Sequence, residues 1–219
     1  MFDITSVKPS TYAAVATYVS TIFTIISFST PYWLASDGRQ AEKHFNNLGL
    51  WEACFAKFQD PNYLYDREFT GCSWLFDEDY AHLRKILEPS FFVAVQVLFT
   101  MGFVLMLLAV IAILAIHLCF VIEKEVYAMR VLAIITSLSA LFLTIAVIIF
   151  GIKGDDREWM PDPEHNFLSW SYALAVIGTF LQWSSAALFI VETRVLEKKI
   201  KKAASNSFSM DTTDVKSAP

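Results

Sequence analysis

Charged residues, histidines and cysteines are all scarce in this chain. Asp, Glu, Lys and Arg make up 18% of its 219 residues, the four histidines lie in separate segments, and there are three cysteines. The sequence contains no glycine-rich phosphate loop, no nucleophile elbow and no cluster of His or Cys with metal-ligand spacing. These absences argue against an enzyme. We expect no catalytic residue, no cofactor, no metal site and no nucleic-acid partner.

Apolar residues, in contrast, are abundant. Hydrophobic side chains account for 55% of the chain, and the mean hydropathy is +0.46, which is too apolar for an ordinary soluble domain of this length. About 20 consecutive apolar residues suffice to cross a bilayer as a helix. We therefore predict a single domain over residues 1–219, with membrane spans at 11–31, 89–122, 128–152 and 170–191.

Basic residues after the fourth apolar run orient the chain, because Lys and Arg close to a span favour the cytoplasmic side. We predict cytoplasmic segments at 1–10, 123–127 and 192–219, and extracellular loops at 32–88 and 153–169. The basic residues that carry this prediction are Arg194, Lys198, Lys199, Lys201 and Lys202.

A cleavable signal peptide is the alternative interpretation of the first apolar run. Three features favour an uncleaved span. Lys8 is the only basic residue before the run, the run is long for a signal peptide, and Pro31 follows where a helix would end.

The first outer loop contains a specific pattern of aromatic, glycine and cysteine residues. It resembles the signature of the claudin superfamily in residue type, order and position relative to the four spans, and a basic residue just before the second span fits the same pattern. The signature residues are Trp33, Gly49, Leu50, Trp51, Cys54, Cys72 and Arg84. The gap between the two cysteines is longer than usual in vertebrate claudins, which indicates a divergent member such as an invertebrate septate-junction protein.

This resemblance implies an all-α membrane four-helix bundle that carries a small extracellular antiparallel β-sheet, with the signature residues at the base of the sheet. Aromatic-rich segments from His44 to Phe55 and from Glu68 to Phe76 are consistent with its strands. We expect a disulfide between Cys54 and Cys72, because an extracellular loop lies in an oxidising compartment. Two free, buried thiols are the alternative.

The second outer loop has an apolar tip that resembles the claudin loop in contact with the opposing cell. Trp159, Met160 and Phe167 are the candidate residues for this contact. For Trp159 a place in the aromatic belt at the membrane surface is an equally open interpretation.

Three further features concern the spans and the tail. Gln96 is expected to form a hydrogen bond across helices, and Cys119 is a candidate for palmitoylation, with a plain buried thiol as the alternative. The tail is polar, so we expect it to be disordered, with its basic cluster on anionic lipids. Because the chain ends with Lys216 to Pro219, direct binding of its C-terminus to PDZ scaffolds is not expected.

Taken with its resemblance, the sequence predicts a claudin-like junction protein at lateral cell contacts of the plasma membrane. Such a protein would associate with itself and with other claudin-like proteins within one membrane and across two, and so form or organise a paracellular barrier at a septate or tight junction. The alternative is an auxiliary subunit of an ion channel or receptor, because such subunits in the same superfamily resemble this architecture.

Overall fold

Four long helices form the membrane part of the protein in a computed structural model that describes residues 9–37, 44–58, 68–78, 87–119, 125–154, 159 and 165–216. The helices are α1 (Pro9–Ser29), α2 (Ser90–Cys119), α3 (Glu125–Lys153) and α4 (Trp170–Lys216). All four are long and apolar enough to cross a membrane, which confirms the expected four-span architecture. The order of acidic and then basic residues in 77–87 favours a short helix, and most of that segment lies outside the described residues.

Prolines define two of the helix starts. Pro9 is the first residue of α1, where its missing N–H costs no hydrogen bond. Pro89 precedes α2, and its carbonyl accepts hydrogen bonds from the backbone N–H groups of Phe92 and Val93.

The end of α4 differs from the expected disordered tail. The helix continues through the polar segment to Lys216. As far as Ala204, the physical reason lies in the residues: most of those from Glu192 to Ala204 are Glu, Lys, Leu or Ala, which favour a helix, and none is Gly or Pro.

Small hydroxyl residues connect α1 to α4. The hydroxyls of Thr17 and Ser185 lie 2.6 Å apart, and Ser20 donates a hydrogen bond to the carbonyl of Gly178 at 2.7 Å. Thr21 and Thr24 donate instead to carbonyls one turn earlier in their own helix. These bonds agree with a packing role for the Ser and Thr residues of the first span, since small side chains let helices approach closely.

A five-stranded antiparallel sheet lies beyond one end of the bundle. Its strands are β1 (Leu34–Ser36), β2 (His44–Leu48), β3 (Glu52–Phe58), β4 (Phe69–Trp74) and β5 (Asn166–Leu168), in the spatial order β4-β3-β2-β1-β5. The small sheet expected from the resemblance is thus present. β5 comes from the second outer loop and pairs with β1 of the first, so the two loops form one sheet.

One apolar core joins the sheet to the nearer half of the bundle. Leu34, Leu48 and Leu50 from the sheet side meet Phe92 and Phe99 from α2, and all five are fully buried. A second cluster, which includes Ile113, Leu132 and Phe189, fills the half of the bundle nearer the chain termini. The sheet is therefore packed on the helices as part of the same core.

Candidate functional site

Trp33 lies at the centre of the junction between sheet and bundle. Its side chain is completely buried. Its ring makes edge-to-face contacts with Phe99 and Phe150, at centroid distances of 5.1 Å and 4.9 Å. Its indole N–H donates a hydrogen bond of 2.8 Å to the carbonyl of Ser27 in α1. Its own backbone groups bond to Leu48 and Ser169, so Trp33 connects both loops and the bundle.

Gly49 occupies the tight turn between β2 and β3, where the turn passes directly over the end of α1. A Cβ atom at this position would lie 2.6 Å from the Cα of Pro31 and 2.6 Å from the carbonyl oxygen of Thr30. The N–H of Gly49 donates to the carbonyl of Glu52 at 2.8 Å. Glycine is required here because backbone atoms fill the space that any larger residue would need.

Leu50 and Gln96 connect this turn to α2. The Leu50 side chain is fully buried, and its carbonyl accepts a hydrogen bond of 2.7 Å from the Gln96 amide. The expectation that Gln96 bonds across helices was wrong in its partner. The amide lies one helical turn and a half beyond the start of α2, close enough to the sheet to reach the turn between β2 and β3. Its bond satisfies a buried carbonyl at the base of the sheet.

Trp51 covers the outer side of the same turn. It is partly buried and packs against Phe28 of α1, with ring centroids 5.3 Å apart, and against Phe76 at 6.1 Å. Its backbone carbonyl accepts a bond of 2.8 Å from Leu75. Its indole nitrogen is buried without a hydrogen-bond partner among the described residues. Trp51 therefore contributes apolar contact and backbone pairing.

Cys54 and Cys72 form the disulfide expected from the sequence. The two residues are direct partners in the pairing of β3 with β4, and their Cα atoms lie 4.0 Å apart. Asn47 on the neighbouring strand donates to the carbonyl of Pro31 at 2.7 Å and to the Cys54 sulfur at 3.3 Å. The bridge thus lies in the sheet, next to the chain that leaves α1.

In the second outer loop, the candidate contact residues differ in placement. Trp159, for which a contact role and a place in the aromatic belt were equally open, is half-buried against Phe91, Phe92 and Phe150, at centroid distances of 4.8, 5.5 and 6.2 Å. Aromatic residues near the start of α2 and the end of α3 provide this apolar surface, a tertiary effect that the loop sequence does not reveal. Met160 lies outside the described residues.

Phe167, the third candidate contact residue, lies on β5 opposite Ala35, and its side chain is 49% exposed. At the opposite edge of the sheet, Trp74 is 58% exposed and Phe76 follows it with 48% exposure. The sheet therefore presents apolar side chains at both of its edges.

Two other candidate residues receive little structural description. Arg84 lies outside the described residues. Cys119 is the last residue of α2, and its side chain is outside the described part of the chain. Within the described ranges, no group of three or more His, Cys, Asp or Glu side chains could hold a metal ion. The arrangement found is a sheet packed on the bundle through the signature residues.

Comparison with protein families gives one match, which covers most of the chain. The model described as "PMP-22/EMP/MP20/Claudin tight junction" matches residues 18–191, from within α1 to within the membrane part of α4. The matched range includes the whole sheet, the disulfide and the signature residues. No curated protein sequence matches the chain.

Proposed function

The chain belongs to the PMP-22/EMP/MP20/claudin family, a family of non-enzymatic, multi-pass membrane proteins, and we propose that it is a claudin-like protein of cell–cell junctions. In this proposal it associates side by side in one membrane and face to face across two, and forms or organises a paracellular barrier. Its termini are cytoplasmic, and the sheet is extracellular. The sheet then lies on the side of the membrane where a neighbouring cell can be met.

The pairing of β5 with β1 is the observation that carries this proposal. Leu34, Ala35 and Ser36 of the first outer loop pair with Leu168, Phe167 and Asn166 of the second. Adhesion between cells requires a surface whose parts keep a fixed relation to one another, because ordering flexible loops on contact costs free energy. A single sheet built from both loops and packed on the bundle meets this requirement.

Phe167 is the residue that we assign to contact across the intercellular space. It lies on an edge strand and half of its side chain is exposed. Trp159 anchors the second outer loop to the bundle through its contacts with Phe91 and Phe150. We assign it to positioning this loop for adhesion. Self-association and association with other claudin-like proteins through these loops are parts of the same proposal.

Depletion of the protein in an epithelium tests the barrier role. We expect increased paracellular leakage of a small uncharged tracer, and restoration of the barrier by the wild-type protein. A Phe167→Ala protein that reaches the surface should restore it less well. Phe180→Ala is a matched control, because Phe180 is 70% exposed on the membrane part of α4, away from the sheet.

Unchanged leakage together with a lack of enrichment at lateral borders would refute the barrier role. If the protein instead co-purified with an ion channel or receptor in fixed stoichiometry, the auxiliary-subunit function would be favoured. The two functions therefore make opposite predictions for border enrichment and for partner composition.

A further inference from the structure

A groove of about 600 Å³ runs along the outside of the bundle between α3 and α4, in the half nearer the chain termini. Its floor and walls are mostly apolar, and several of the lining side chains are well exposed, including Ile134 at 61% and Leu138 at 41%. In a membrane-spanning protein, side chains exposed at this depth face the hydrocarbon of one leaflet. The groove is therefore open to lipid.

The length of the groove corresponds to one leaflet. Along α3 it extends from Arg130 to Leu141, and an α-helix rises about 1.5 Å per residue, so these residues span about 16 Å. Half of a hydrocarbon core of about 30 Å is about 15 Å. Trp183 lines the end of the groove farther from the chain termini, and its indole N–H donates to Thr144 at 2.8 Å, which fixes the ring in place.

Charge is concentrated at the end of the groove nearer the termini. Arg130 of α3 and Arg194 of α4 both line this end, and both are exposed. Glu197 forms an ion pair with Arg130, which compensates one of the two positive charges and orients its guanidinium group. The site keeps one net positive charge at this end of the groove. Guanidinium groups are well suited to bind phosphate oxygens through paired hydrogen bonds.

We propose that this groove is a binding site for one anionic glycerophospholipid of the leaflet nearer the chain termini. The phosphate group is bound by Arg194 and Arg130, and an acyl chain lies along Ile134, Leu138 and Leu141 toward Trp183. The apolar length, the opening to the membrane and the cationic end all match the shape and charge of such a lipid. A helix of a second copy would fit the apolar part but would not need the two arginines.

Native mass spectrometry of the full-length protein in mild detergent tests this site, with phosphatidylserine and phosphatidylcholine of identical acyl chains as probes. We expect one tightly retained phosphatidylserine per chain and clearly weaker retention of phosphatidylcholine. Arg194→Gln should weaken phosphatidylserine retention about fivefold, the effect of one basic residue near an anionic lipid. Lys201→Gln removes the same charge from the same helix outside the groove, and should have a much smaller effect.

Leu138→Trp provides an independent test by filling the apolar part of the groove. It should reduce retention of phosphatidylserine, whereas Leu108→Trp, on the exposed face of α2, should not. Equal retention of the two lipids, equal effects of Arg194→Gln and Lys201→Gln, or full retention by Leu138→Trp would overturn the proposal. A dimer would also overturn the proposal if Leu138→Trp abolished it and added phosphatidylserine did not dissociate it. The groove would then bind a second copy of the chain. Thermal melting of each variant identifies any loss that arises from unfolding.

Discussion

Gly49→Ala tests the close approach of the β2–β3 turn to the end of α1. The added Cβ would lie 2.6 Å from backbone atoms of Pro31 and Thr30, whereas packed carbon atoms are separated by about 3.5–4.0 Å. One backbone segment must therefore move by about 1 Å. Overpacking of this kind costs about 1–3 kcal/mol, and loss of the hydrogen bond between Gln96 and the Leu50 carbonyl adds about 1 kcal/mol. We expect a total destabilisation of about 2–4 kcal/mol.

Equilibrium unfolding in mixed detergent and SDS micelles measures this cost, and surface biotinylation measures delivery to the plasma membrane. Ser73→Ala, on β4 of the same sheet, is the control and should change stability by less than about 0.5 kcal/mol. Gly71→Ala makes the same chemical change at a position where no atom lies within 4 Å of the added Cβ. Because Gly71 has a φ of +98°, a loss of stability in this variant would come from the backbone conformation and not from a steric contact. A Gly49→Ala protein within about 0.5 kcal/mol of wild type would refute a steric requirement for glycine in this turn.

Three further substitutions examine the signature residues and their support, each measured by the same unfolding assay. Trp33→Phe should lower the free energy of unfolding more than Trp51→Phe does. The Trp33 indole donates a hydrogen bond, whereas the Trp51 indole has no partner among the described residues. Equal losses of stability would contradict this difference. Cys72→Ser should cost about 2–4 kcal/mol under oxidising conditions, and the buried Cys54 thiol should then react with a thiol reagent once the protein is unfolded. An unchanged stability after reduction of the wild type would show that the bridge contributes nothing. Gln96→Leu should cost about 1–3 kcal/mol, because it leaves a buried carbonyl unpaired, and a neutral result would indicate that another donor replaces the amide.

Features that depend on long apolar runs or on chemistry within one loop were predictable from the sequence. The four helices follow from apolar runs long enough to cross a bilayer. The disulfide follows from two cysteines in a loop that the sequence predicts to be extracellular, where the compartment is oxidising. β2 and β4 lie within the aromatic-rich segments that were expected to form strands, whereas β3 begins within the first segment and continues past its end at Phe55 to Phe58.

Features that depend on contacts between distant segments were not predictable. β1 and β5 have three residues each, too few for a periodic pattern. β1 pairs with β2 and with β5, and β5 is a strand because it pairs with β1, which lies far earlier in the chain. The partner of Gln96 and the inward position of Trp159 likewise depend on where the sheet and the helices meet. The spacing of apolar residues in a sequence indicates which face of a helix or strand is buried. It does not identify the partner of a single polar or aromatic side chain.

Recruitment of the protein to contacts in mixed cell cultures tests its junction function most directly. Cells that lack junctions of their own would express the fluorescently tagged protein and be mixed with cells that do not express it. We predict enrichment at contacts between two expressing cells and not at contacts between an expressing and a non-expressing cell. A uniform distribution over the surface, with no enrichment where two expressing cells meet, would contradict adhesion through the joined outer loops.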